Sequence, residues 1–285
     1  MQQITGTTKL LGVIGDPIHH SLSPVMHNAA IAHLGVDYVY LPFPIKAEKL
    51  AIAIAGLAAI GVAGFSVTIP HKQAIIPFLS EISATAQQVG AVNTVWRTEK
   101  GWCGTNTDVA GFLAPLQPLG LDWSGIAPVI LGNGGAARAV VVACAQLGCP
   151  EIHVVGRNLD KLEQFKESWL NVSLPASLKV HLDSELAGLV SATKLLINTT
   201  PVGMFPQVNR SPVDVKVLEK LPSGAIVYDL IYTPKPTQFL KEAQQQGAII
   251  IDGLEMLIQQ GAAALQIWLQ QPVPVKIMRQ AINIF

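Results

Sequence analysis

Charge of either sign is not in excess in this chain: lysine plus arginine count 19, aspartate plus glutamate 19, and the formal charge is zero. That excludes the strongly basic face on which a nucleic acid or an anionic membrane surface docks. Cysteine is scarce. Cys103, Cys144 and Cys149 are odd in number, form no C-x-x-C pair and sit in no nucleophile motif, so buried thiols in a reducing compartment are the simple account. His19 and His20 are adjacent, and His27, His33 and His71 lack companions at a recognisable ligand spacing, so no metal is expected. The opening Met1-Gln2-Gln3-Ile4-Thr5-Gly6 lacks the basic-then-apolar layout of a secretion signal, which points to the cytoplasm. Internal repeats and low-complexity tracts are absent. The one long uncharged run, Leu50 to Phe65, is shorter than the about 20 apolar residues a membrane helix needs and is punctuated by Gly56, Gly61 and Gly64. It predicts a buried helix from Ala47 to Ile60 and a strand from Gly64 to Val67.

What the chain does have is apolar residues, 50% of 285, enough for a sizeable core and by length for two domains. Lys9–Ile14 reads as a first strand. Ser23, as an N-cap, and Pro24 then open a helix to Leu34. A strand at Asp37–Phe43, the apolar helix, the Gly64 strand and a helix started by Pro70 continue the alternation that marks an α/β layer. Thr94–Arg97 and Trp102–Thr105 read as a hairpin added to it. A helix from Asp108 to Leu119 leads out of the first domain. Beyond it, strands are expected at Val129–Leu131, Ile152–Val155, Lys179–His181, Leu195–Asn198, Ala225–Asp229 and Ile249–Asp252, with helices to Leu147 and over Leu159–Trp169. A last long helix, Leu254 to Gln270, precedes a short tail helix.

The strand at Val129–Leu131 stops at Gly132-Asn133-Gly134-Gly135-Ala136-Ala137, and a small-residue helix follows. Gly132, Gly134 and Ala137 fit G-x-G-x-x-G/A, the turn that lets backbone N–H groups approach a pyrophosphate at a helix N-terminus. The next strand ends at Gly156-Arg157-Asn158. An NAD site has Asp or Glu there for the ribose 2′-hydroxyl; this chain has Arg157, with Lys161 one helical turn further on, and cations suit a 2′-phosphate. The reading is NADP.

In the first domain, polar clusters stand where strands give way to helices or loops: Ser21-Leu22-Ser23, Ser66 to Lys72, and Asn93 with Asn106-Thr107-Asp108. Ligands gather at such places in open α/β sheets. Each cluster also has a plain structural reading: Ser23 or Asp108 as a helix N-cap, Lys72 as a solvated lysine.

Taken in order, these segments resemble the shikimate dehydrogenases. Asp16-Pro17-Ile18-His19-His20-Ser21-Leu22-Ser23-Pro24 with Met26-His27-Asn28 is similar to that family's substrate signature. Val67-Thr68-Ile69-Pro70-His71-Lys72, Ala91-Val92-Asn93-Thr94 and Gly104-Thr105-Asn106-Thr107-Asp108 resemble its next blocks. Gly132 to Ala139 resembles its cofactor loop. Asn198-Thr199-Thr200-Pro201-Val202-Gly203-Met204, Tyr228 to Tyr232, and Asp252 to Leu257 complete the set, from about residue 9 to residue 270.

The resemblance implies two domains: a substrate-binding α/β domain over 1–108, completed by C-terminal helices returning at 254–285, and a Rossmann-like NADP domain over 109–253. It implies a reversible NADP-dependent reduction of 3-dehydroshikimate to shikimate, in aromatic amino-acid (chorismate) biosynthesis. Lys72 and Asp108 would be the acid/base pair. Ser21, Ser23 and Tyr232 would hold the ring carboxylate, and Thr68, Asn93 and Gln260 would bind hydroxyls or orient the ring. Cofactor contacts would come from Gly132, Asn133, Gly134, Gly135, Ala136, Arg157, Lys161, Asn198, Thr199, Thr200, Leu230, Gly253 and Met256. A small-molecule substrate is the only partner implied, for a monomer or a homodimer. The chemistry asks for these types on its own terms: the cofactor carries the hydride, so the protein must position a ring and manage one proton.

The sequence departs from the family's habit at two places. Ser66 stands where many members have Asn, and Gly156 and Asn158 flank Arg157 where Asn and Thr are usual. Two other readings of the same residues stand beside the first: a quinate/shikimate dehydrogenase with relaxed cofactor use, and a catalytically silent NADP-binding regulator, whose hallmark would be loss of Lys72 or Asp108.

Overall fold

The computed structural model describes residues 4–283. Met1–Gln3, part of the stretch that lacks a secretion layout, lie outside the described residues. The chain divides into two compact units, one running up to Gly111 and resuming at Leu257, the other Phe112–Met256.

The first unit holds strands β1 (Lys9–Gly15), β2 (Tyr38–Pro44), β3 (Gly64–Val67), β4 (Glu81–Ile82), β5 (Thr94–Thr98) and β6 (Gly101–Thr105), in the order β2-β1-β3-β5-β6-β4. β1 pairs in parallel with β2 and β3, β5 runs antiparallel to both β3 and β6, and β4 lies parallel to β6. The register Ser66↔Thr94↔Thr105 follows from that hairpin. It brings the end of β3, the start of β5 and the end of β6 to one edge of the sheet. Helix Ser23–Leu34 packs against the C-terminal helix Val275–Ile282. Trp268, on helix Leu254–Leu269, donates its indole N–H to the Val95 carbonyl at 2.9 Å, so the C-terminal helices do return to the first sheet.

Several local expectations are corrected. The apolar stretch is a short 3₁₀ turn, Ala47–Lys49, and then helix Leu50–Ala59, and it is not buried all round. Leu50, Ile54 and Leu57 face the core, while Ile52 is 72% exposed; a pattern apolar on every side gives no sign of which face packs. Ser23 does not cap its helix. Leu22, already in right-handed helical geometry, holds the N-cap position without a side-chain bond, and Ser23 is the first helical residue. The helix expected over 108–119 stops at Leu113, because Pro115 disfavours helical geometry in the residue before it; a 3₁₀ turn follows at Gln117–Leu119. β4 and helices Ala84–Val89, Leu186–Ala192 and Gln238–Gln245 have no counterpart in the sequence reading.

The second unit holds β7 (Val129–Leu131), β8 (Glu151–Gly156), β9 (Ser177–Leu182), β10 (Leu195–Asn198), β11 (Ile226–Asp229) and β12 (Ile249–Ile251). Every pairing among them is parallel, in the order β12-β11-β10-β7-β8-β9. Read from β9, that is 3-2-1-4-5-6, the order of dinucleotide-binding sheets, with its reversal between β7 and β10. Val129, Leu131, Val155, Leu196, Val227 and Phe239 are core residues on one side of it. No helix among the described residues is long and apolar enough to cross a membrane. Cys103, Cys144 and Cys149 are buried and free.

At the end of β11, Asp229 is fully buried and accepts from Asn198, the Ile231 N–H and Thr237. Burial outweighs these bonds and pushes its carboxyl from 3.8 up to about 6. The folded state therefore holds this proton more tightly than the unfolded chain does. Its contribution is favourable below the unfolded value and is lost as pH rises through about 6, by at most about 3 kcal/mol. Asp229→Asn removes the titration. The melting temperature of the variant relative to wild type should climb between pH 4 and pH 6 and then level off; parallel curves would contradict this.

Candidate active site

Lys72 sits in helix His71–Ala74, just past β3. Its Nζ lies 2.6 Å from Asp108 Oδ2, with the two side chains only 15% and 6% exposed. Asp108 is the first residue of helix Asp108–Leu113, and its own N–H is held by Asn106 Oδ1 at 3.0 Å, so the cap is Asn106 and the Asp108 carboxylate is left for other work. The other carboxylate oxygen accepts from Asn93 Nδ2 at 2.8 Å. Asn93, in turn, has Oδ1 on the Thr107 N–H at 2.8 Å, and its Nδ2 reaches Gln260 Oε1 at 3.3 Å. Gln260 Nε2 donates to the Leu257 carbonyl at 2.8 Å, which fixes that amide's orientation.

One largely buried ammonium is thus set on a carboxylate that is itself fixed by a buried amide. Residues from four separate stretches, 72, 93, 108 and 260, share one hydrogen-bonded network. Plain solvated-lysine and N-cap readings do not describe it. Thr68 stands at the same sheet edge, its N–H on the Ile14 carbonyl at 3.0 Å and its side chain half-buried. Ser21 and Ser23 follow β1, where Ser21 Oγ accepts the Ser23 N–H at 3.3 Å. Tyr232 and Met256 belong to the second unit, Tyr232 partly exposed and Met256 buried.

In the second unit, the glycine turn follows β7. Gly132 has φ +100°, and a Cβ there would stand 2.8 Å from Thr199 Oγ1 and 2.9 Å from Thr200 Cγ2. Thr199 is drawn in because its N–H and hydroxyl both donate to the Leu131 carbonyl, at 3.0 and 2.6 Å. Gly132→Ala should therefore cost about 1–3 kcal/mol of local strain. The expected readouts are a lower Tm and a raised KM for the dinucleotide, with KM for the other substrate unmoved; an unchanged dinucleotide KM would show that the turn has room to spare.

Helix Gly135–Leu147 starts on Gly134 with no side-chain cap, so its first N–H groups are not served by that residue. Arg138 of this segment is not a ligand group. Its guanidinium lies over Trp169 at 4.6 Å and bonds Ser168, tying the helix to its neighbour. Asn198 is fully buried and uses its amide on Asp229, Val202 and Thr200, so it shapes the loop after β10. Gly253 packs against the Leu230 carbonyl so closely that a Cβ would stand 2.1 Å from it.

Arg157 faces a cavity of about 370 Å³ bounded by the loop after β10, from Pro201 to Arg210. Lys161, expected to share its phosphate, does not line that cavity; Arg210 does. Sequence reading misses Arg210 because nothing in a loop more than fifty positions from Arg157 announces that the two meet; only the β8-β7-β10 order does.

Comparison with known proteins agrees over the whole chain. Residues 13–95 match the shikimate dehydrogenase substrate binding domain, and residues 253–282 the shikimate 5′-dehydrogenase C-terminal domain. The shikimate dehydrogenase (NADP(+)) of Gloeothece citriformis is 67% identical over 283 residues, 99% of this chain and 98% of that protein. The crystal structure of shikimate 5-dehydrogenase from Listeria monocytogenes in complex with shikimate and NAD superposes with TM-score 0.86 at 33% identity, covering 100% of this chain and 99% of the other. That from Thermus thermophilus in complex with NADP(H) and shikimate gives 0.84 at 32%, covering 97% and 99%.

Proposed function

The chain belongs to the shikimate dehydrogenase family, and on that footing we propose that it catalyses the reversible, NADP-dependent reduction of 3-dehydroshikimate to shikimate. The observation that carries this is the Lys72–Asp108 pair at 2.6 Å, held by Asn93 and Gln260. A dinucleotide fits the second unit: the sheet has the right order, the turn after β7 packs tightly at Gly132 and is open at Gly134, and two guanidiniums face one cavity. When bound, NADPH supplies the hydride.

The rest is work for the chain's own groups. The Lys72 ammonium gives a proton to the carbonyl oxygen as the ring carbon becomes an alcohol; in the reverse direction the neutral amine takes that proton back from the hydroxyl. Asp108 keeps the amine aimed and Asn93 keeps Asp108 aimed, so little reorganisation is needed at the moment of transfer. Ser21 and Ser23, with Tyr232, offer neutral hydroxyls to the ring carboxylate, and Thr68, Asn93 and Gln260 serve the ring hydroxyls. Arg157 and Arg210 take the 2′-phosphate, with Lys161 adding charge at longer range. Gly132, Asn133, Gly134, Gly135 and Ala136 approach the pyrophosphate, Thr199 and Thr200 line the path beside them, and Leu230, Gly253 and Met256 lie toward the nicotinamide. The substrate-binding part is 1–108 with 254–285 and the cofactor part 109–253, acting in the cytoplasm as a monomer or homodimer.

Absorbance at the NADPH band tests this. Shikimate plus NADP⁺ should give a steady rise with the full chain. Cofactor binding without turnover of shikimate or quinate would favour the silent regulator instead, although that reading has to explain why both Lys72 and Asp108 are retained.

A further inference from the structure

Met26-His27-Asn28 and Tyr40 take no part in the chemistry above, yet the first unit fixes Tyr40 from three sides. Asn28 clamps its backbone: Nδ2 donates to the Tyr40 carbonyl at 2.8 Å, and the Tyr40 N–H donates to Oδ1 at 2.9 Å. His27 stacks on its ring, centroids 4.2 Å apart and planes within 15°, and Trp268 stands at 5.9 Å. His27 is fully buried with no hydrogen-bond partner on either nitrogen, and burial pushes its pKa down to about 3, so it serves as a neutral plate. Burial likewise holds the Tyr40 phenol in its protonated form. The hydroxyl end donates to Ser66 Oγ at 2.9 Å. Ser66 is largely buried, at 8% exposure, near the end of β3.

We propose that Tyr40 is a positioning residue for the substrate, its hydroxyl fixing the Ser66 side chain so that the serine presents its own proton to an oxygen of a hydroxylated ring acid. A serine hydroxyl has one proton and two lone pairs. With one lone pair of Ser66 filled by Tyr40, its own proton is left to donate outward. A serine without that partner is free to turn onto nearby backbone carbonyls, the local bond this residue type favours. Ser66 thereby has a defined orientation despite being short, and His27 and Asn28 acquire a purpose: they hold the phenol that holds the serine. The inference rests on the proposed reading that the first unit binds shikimate.

Tyr40→Phe keeps the ring, the stack and the backbone clamp and removes only the hydroxyl. We expect KM for shikimate to rise about 5–20-fold, the scale of one lost hydrogen bond in a buried network. The turnover number should stay within about twofold and KM for NADP⁺ should not move. Because Tyr40 acts through Ser66, adding Tyr40→Phe to Ser66→Ala should cost much less than Tyr40→Phe alone. An unchanged shikimate KM, a loss that adds in full to Ser66→Ala, or an equal rise in the NADP⁺ KM would each overturn the proposal. If Tyr40→Phe does not fold, Ser66→Ala answers from the other side: a raised shikimate KM supports the proposal and an unchanged one overturns it. Wild-type turnover of shikimate tests the underlying reading separately; if wild type is active and Tyr40→Phe matches it, only the role of Tyr40 falls.

Discussion

Replacing Lys72 by alanine lowers kcat roughly 10²–10⁴-fold, the scale of a lost acid–base group, with KM for shikimate much less affected. The reason is that the side chain's main service is in the transition state. Its Nζ, 2.6 Å from Asp108, is the proton donor of the proposed mechanism, and the Asn93–Asp108 and Asn93–Gln260 bonds do not depend on it. Lys72→Arg sharpens the test. A guanidinium keeps the positive charge and the contact with Asp108 but does not release its proton in a protein, so this variant should be as slow as the alanine one. Steady-state kinetics decide both. Unchanged kcat in Lys72→Ala removes the residue from the mechanism; full activity in Lys72→Arg leaves it a charge and takes away its proton-transfer role.

Arg157→Gln should lower kcat/KM for NADP⁺ about 10–100-fold while NAD⁺ is used as before, the worth of one charge-assisted bond to phosphate. The side chain lies on the wall of a 370 Å³ cavity at the carboxyl end of β8, where a dinucleotide's adenosine end belongs in a sheet of this order. Neutral glutamine removes the bidentate fork but keeps a donor, so a structural collapse is not expected. Rates with both cofactors across a range of salt are the readout, since a phosphate–cation contact weakens as salt rises. Equal losses with NADP⁺ and NAD⁺ would place Arg157 elsewhere on the cofactor.

Much of this was legible in the sequence because chemistry and punctuation coincide. The strands Gly64–Val67, Val129–Leu131 and Leu195–Asn198 stand as read, each a short run dominated by apolar residues. Lys72, Asn93 and Asp108 could be singled out because each follows or precedes a strand, and the hairpin register then brings Asn93 and Asp108 together. Three things were not legible. The Leu50–Ala59 helix is apolar on all sides, so no periodicity tells that Ile52 faces solvent. Ser23 has the composition of an N-cap, and only backbone geometry shows that Leu22 occupies that place. Arg210 and Tyr40 depend on partners far away in the chain, two strands across the sheet, and no local pattern encodes such a meeting.

The most direct test of the whole account is a grid of kcat/KM for the wild-type chain, shikimate and quinate each against NADP⁺ and NAD⁺. The value for shikimate with NADP⁺ should exceed the other three. A grid with no turnover in any combination, or one led by quinate with NAD⁺, would contradict it.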